Sequence, residues 1–126
     1  MINILTTYYK RLENFAGEMS NAVIVQVSNS KPKWFPWNCL TYKALMPDWD
    51  CVAALKNGSI SEEEFTRRYK NKLNKLDRQT VLEELQYKAE SEGANTVYLV
   101  CWEASNKFCH RHILAEWLDC DVEELY

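Results

Sequence analysis

The stretch "NTVYLVCWEASNKFCHRHILAEWL" (residues 95–118) places an apolar run directly before an amphipathic one. Residues 96–101 are apolar on both faces of a two-residue alternation and rich in β-branched and aromatic types. That pattern marks a strand covered on both sides, as at the centre of a parallel sheet. From Cys109 onward the period changes: Ile113, Leu114 and Trp117 fall on one face of a helix predicted over 109–118. A buried strand, a short loop and a helix are the repeating unit of an α/β fold.

The rest of the chain extends this reading. "INILTTYY" (residues 2–9) alternates as a first strand, and "RLENFAGEM" (residues 11–19) reads as a short helical piece. "NAVIVQV" (residues 21–27) is a second buried strand. The loop after it holds Pro32 and Pro36, with Trp34, Phe35 and Trp37 crowded between and beside them. A helix is predicted to start at Pro47–Asp48 and stop at Gly58. Ser61 followed by Glu64 is a capping box, and Phe65, Tyr69, Leu73 and Leu76 form an apolar stripe behind it. Asp77 is the expected N-cap of a further helix that ends at Gly93. "DVEELY" (residues 121–126) reads as a last short strand. The expectation is one α/β domain over residues 1–126, a small, mainly parallel sheet flanked by helices in a Rossmann-like three-layer arrangement. Ligands of such folds bind beyond the carboxyl ends of the strands. The loops after Thr7, Val27 and Val100 are the candidates.

Composition narrows the function classes. A net charge of −3 gives no basic surplus for general nucleic-acid binding. The run "RRYKNKLNK" (residues 67–75) reads as the solvated face of a helix. No apolar stretch is long enough for a membrane span, and no signal peptide is read. Five cysteines, an odd number without a framework of spacings, are expected as reduced thiols in a cytoplasmic protein.

Chemistry concentrates where the central strand meets its helix. Cys101 ends the strand, and Cys109, His110 and Arg111 open the helix. Free N–H groups and the macrodipole draw anions to a helix N-terminus. Arg111 there could fork onto a phosphate or carboxylate, Cys109 would have its thiolate favoured, and His110 could carry a proton. Three chemical readings compete: an anion site without chemistry, a nucleophilic Cys109 helped by His110 or His112, and zinc held by Cys101, Cys109 and a histidine. Zinc is the weakest on spacing, since no short paired cysteines occur and a fourth ligand is unassigned, so no metal and no cofactor are expected. In a purely structural reading Cys109 is a buried apolar residue, Arg111 pairs with Glu103, and His112 lies at the surface near Glu116. Glu103 is otherwise expected to orient Arg111 or His110, or to meet a ribose hydroxyl. One of Tyr8 and Tyr9 should face the pocket, with Ser28 and Asn29 on its opposite wall. Trp34 and its neighbours either stack on a ligand or close the core as a lid.

This constellation resembles the domain-of-unknown-function family 488. Its hallmark is an apolar strand ending in Cys, an acid soon after, and Cys-His-Arg opening a helix, matched here by Cys101, Glu103, Cys109, His110 and Arg111. "LTTYY" (residues 5–9) sits where the family has its first strand-end motif. The segment from Tyr42 to Asp77 is similar to the aromatic loop, Leu-x-Pro turn and Phe/Tyr-bearing helix of shorter members. The chain departs from the Asp-x-Arg motif that many members carry after the second strand, having Ser28 and Asn29 there. The resemblance implies a compact α/β fold and a site around Cys109, His110 and Arg111, without naming a reaction.

The leading expectation is a small cytoplasmic protein that binds a small anionic ligand, a nucleotide-derived one included, at the strand carboxyl ends. Its rivals are a cysteine enzyme using Cys109 and a protein-interaction or inhibitor protein acting through its surface. The latter leaves a protein partner, self-association and a viral or mobile-element origin open.

Overall fold

The computed structural model describes residues 2–14 and 21–126. Its five strands are β1 (Asn3–Tyr8), β2 (Ala22–Gln26), β3 (Leu40–Thr41), β4 (Thr96–Cys101) and β5 (Val122–Glu124). They pair in the order β3-β2-β4-β1-β5, and every neighbouring pair is parallel. The helices are α1 (Tyr9–Glu13), α2 (Trp49–Lys56), α3 (Glu62–Leu73), α4 (Arg78–Ser91) and α5 (His110–Leu118). The chain is thus a small α/β protein with a parallel sheet flanked by helices. None of the described helices is long and apolar enough to cross a membrane.

β4 lies in the middle of the sheet with five of its six residues buried. Its alternation separates two apolar layers. Val97 and Leu99, with Val23, Val25 and Val27, pack under α3, α4 and α5. Tyr98 and Val100, with Ile24, pack under Tyr9 and Leu12 of α1 and under Phe35. Burying a Val or Leu side chain is worth about 1.5–3 kcal/mol, so these two layers supply the main driving force.

The helix boundaries follow local chemistry. Ser61 Oγ accepts the Glu64 N–H at 3.1 Å, and Asp77 accepts that of Thr80 at 3.1 Å, starting α3 and α4. Gly93 takes φ +67° behind α4, a conformation that favours glycine. Two segments differ from the sequence expectation. Tyr9 belongs to α1 rather than to the first strand, and residues 15–19 of the expected helical piece lie outside the described residues. β3 was not expected, because only two residues pair after the proline-bearing loop.

The connections leaving β2 and β4 take opposite faces. The aromatic loop after β2 packs with Tyr9, whereas α5 after β4 packs in the other layer. Adjacent strands whose outgoing segments part in this way leave a crevice at their carboxyl ends.

Candidate functional site

A cavity of about 120 Å³ occupies that crevice. Ser28, Asn29 and Ser30 from the end of β2 form one wall; Cys101, Trp102 and Glu103 from the end of β4 form the next. Phe108, Cys109 and His110 close it at the start of α5, and α2 and α3 cover it with Trp49, Val52, Leu55, Lys56 and Phe65. Trp49 and Trp102 are 67% and 45% exposed, which puts two aromatic faces at the solvent side.

Of the residues singled out by sequence, the structure gathers Cys101, Glu103, Cys109, His110, Ser28 and Asn29 around this one cavity. Tyr8, Tyr9, Trp34 and Arg111 are not on its wall. The Tyr9 hydroxyl reaches behind the wall instead, 2.7 Å from Ser28 Oγ, and burial pushes its pKa upward. Trp34 meets Phe35 edge to face and lies under Lys10, at 5.2 Å from Nζ to the ring centre, so the aromatic loop caps the α1 layer rather than the cavity.

Arg111 corrects the expectation most clearly. A guanidinium reaching out to an anion is replaced by a side chain that is 0% exposed. Its Nη2 and Nε donate to the two carboxylate oxygens of Glu124 at 2.8 and 3.2 Å. Nη1 donates to the Glu103 main-chain oxygen at 2.7 Å and to Cys101 Sγ at 3.2 Å. Tyr8 covers the group, its ring centre 5.7 Å from the guanidinium carbon. Five donors in a fixed fork make arginine suited to such a crossing point. The expected Glu103 carboxylate is not its ion-pair partner; Glu103 contributes its backbone oxygen only.

Glu124, which sequence reasoning missed, is the hub of this network. Thr6 Oγ1 and Ser105 Oγ also donate to it, at 2.5 and 2.6 Å. Burial would raise its pKa, but Arg111, Ser105 and Thr6 outweigh that and hold it below its ordinary value of 4.5. A carboxylate in a short strand after a Cys-His-Arg helix was its one available signal.

His110 is held differently. Its Nε2 lies 2.6 Å from the Val27 main-chain oxygen, and its ring meets Tyr69 edge to face at 5.4 Å. A carbonyl only accepts, so Nε2 carries the proton and Nδ1 keeps a free lone pair. Desolvation lowers the pKa to about 4, the Val27 bond opposing and Arg111 and His112 adding to the shift. His110 is therefore neutral at pH 7. His112 is not beside Glu116 as a surface pair; its Nδ1 faces Glu124 at 4.0 Å.

The expectation of five reduced thiols is also corrected. Cys101 and Cys109 are joined sulfur to sulfur, whereas Cys39, Cys51 and Cys120 are free. The loop after β4 turns straight back, so the N-cap residue of α5 meets the strand end. Cys101, Cys109 and one nitrogen of His110 lie mutually within 4.8 Å. The arrangement can hold a soft metal ion, store a disulfide or expose a thiolate beside a neutral imidazole.

Comparison with known proteins returns one family. The model for DUF488-N3a, described as the active DUF488-N3 subclade, matches residues 9–121. No curated protein and no solved structure matches the chain. With its strand-end cysteine and its Cys-His-Arg helix start inside the matched region, the chain belongs to the DUF488 family, in the DUF488-N3a subclade.

Proposed function

We propose that the crevice beyond β2 and β4 binds a small anionic ligand bearing a planar group, as a nucleotide-derived molecule does. The observation that carries this reading is the cavity itself, set against the first turn of α5. With Arg111 committed to Glu124, the anion is held by the N-terminal amides of α5 and by Lys56. Trp49 and Trp102 offer faces on which a planar ring stacks. A thermal-shift screen over nucleotides, nucleotide-derived signals and inorganic phosphate tests it. A ligand raises the melting temperature with its concentration, and Lys56→Ala and the cavity-filling Val52→Trp reduce the rise. If no anion shifts the wild type more than Val52→Trp, the proposal is wrong.

A second reading, a cysteine enzyme, is favoured by one specific placement and one description. Cys109 stands at the N-cap of α5 beside His110 on the cavity wall, and the matched subclade is described as active. Reduced Cys109, the N-cap residue of α5, is the nucleophile in this reading; both cysteines are buried, and Cys101 lies against Arg111. Alkylation of the reduced protein with iodoacetamide across pH distinguishes it. Cys109 reacts well below the ordinary thiol pKa of about 8.5 if it is a nucleophile. Alkylation no faster than at the other four cysteines removes catalysis. A cytoplasmic setting belongs to the same proposal, since a reducing compartment keeps this pair open.

A further inference from the structure

Beyond anion binding, the three donors on the cavity wall point to a ligand of another kind. We infer that Cys101, Cys109 and His110 form a three-ligand site for zinc or a similar thiolate-seeking divalent ion, with the fourth coordination position open to the cavity.

The donor set fits such an ion. Two thiolates and an imidazole are the ligands that zinc takes from proteins. In a tetrahedron with Zn–S of about 2.3 Å and Zn–N of about 2.0 Å, ligand atoms stand roughly 3.5–3.8 Å apart. The donor atoms here already lie within 4.8 Å of one another. Two thiolate charges balance a divalent cation.

The surroundings are those of a metal site. Metal-binding histidines commonly donate their second ring nitrogen to a carbonyl or carboxylate, which fixes the ring. His110 does this to Val27, leaving Nδ1 as the ligand nitrogen. Cys101 Sγ accepts from Arg111, whose own charge is met by Glu124. The ligands stand on rigid elements: Cys101 ends the central strand, and Cys109 and His110 open α5. All three also line the cavity. Three protein ligands with an open position distinguish reactive zinc sites from closed structural ones. Among the described residues, the second cluster of donors, Asp48, Asp50 and Cys51, has two exposed acids, and Lys72 already holds Asp48 at 2.9 Å.

The site exists only when the sulfur pair is open. A dithiol reductant gives two electrons and two protons to the S–S bond, yielding two thiols and its own disulfide. The incoming ion then displaces the two thiol protons to solvent. A disulfide oxidant that takes two electrons from the two thiolates, and is itself reduced to its thiols with protons from solvent, re-forms the S–S bond and expels the ion.

The inference rests on donor geometry alone and does not need the anion reading. Its test therefore uses metal without any anion ligand. The full chain is reduced with a phosphine, stripped with a chelator and titrated anaerobically with Co²⁺, then with Zn²⁺. One cobalt ion per chain is expected, with thiolate-to-cobalt charge-transfer absorption and the visible bands of tetrahedral cobalt. Zn²⁺ should bleach both and protect two of the five thiols from alkylation. Cys109→Ser, which keeps a good N-cap, and His110→Asn should each lose the tetrahedral spectrum, while Cys51→Ser keeps it. Circular dichroism checks that each variant is folded. Absence of charge-transfer absorption in the reduced wild type overturns the inference. So does a spectrum unchanged by Cys109→Ser or abolished by Cys51→Ser.

Discussion

Arg111 and Glu124 face each other as a two-pronged ion pair, Nη2–Oε2 at 2.8 Å and Nε–Oε1 at 3.2 Å, with the arginine entirely out of solvent. The pair fastens the start of α5 to the edge strand β5. Removing one partner strands the other charge in a site built to exclude water. Arg111→Ala and Glu124→Ala are each expected to cost about 3–5 kcal/mol. Arg111→Lys should recover little, because an ammonium cannot reach both carboxylate oxygens, the Glu103 carbonyl and Cys101 together. Urea denaturation of the three variants checks this, and a near-wild-type Arg111→Lys contradicts it.

Acid should weaken the protein through the same carboxylate. Its folded pKa lies below 4.5, so Glu124 stabilises the fold above its unfolded pKa. That contribution is lost as pH falls through the folded value. The urea midpoint should therefore drop below about pH 4.3, and the drop should be shallower in Glu124→Gln. Equal slopes in the two proteins would assign the acid sensitivity to other groups.

The two side-chain caps should act independently. Ser61→Ala and Asp77→Ala each remove one N–H acceptor at a helix start, worth about 1 kcal/mol apiece. They belong to different helices, so the double variant should lose the sum within about 0.5 kcal/mol. Chemical denaturation of the four proteins closes the cycle.

Thiol mapping checks the sulfur pairing. Without reductant, alkylation of the unfolded chain should label Cys39, Cys51 and Cys120, and reduction should add Cys101 and Cys109. Labelling of all five before reduction shows that the purified protein carries the pair open, the state that a metal requires.

What could be read from the sequence divides along the range of the forces involved. β4 and α5 were legible because periodicity is local: a doubly apolar run followed by a 3.6-residue stripe admits few other folds. The caps at Ser61 and Asp77 were legible for the same reason. Cys101, Cys109 and His110 were recognisable as a group, since one short loop joins them. Arg111 was misread because its partner is set by β1 pairing with β5, not by spacing. Glu103 is eight residues from Arg111 and looked sufficient; Glu124, thirteen residues on, has the carboxylate that arrives. The cavity roof was not legible either. Phe65 reads as part of an ordinary helix stripe, and only the packing of α2 and α3 over the crevice turns it, with Trp49, Val52 and Leu55, toward the cavity.

The sheet order has a consequence for how the molecule is made. β1 is hydrogen-bonded to β4 on one side and β5 on the other, so Ile4 pairs with Val97 and with Val122. β1 precedes both of its partners in sequence, so its two edges stay unpaired until β4 and then β5 have been made. Non-local pairing of this kind slows folding relative to a helical bundle of similar size. During synthesis the early strands can form only the β2–β3 ribbon. β4 then joins β2 to β1, and the buried network around Glu124 can assemble only once β5 has paired with β1.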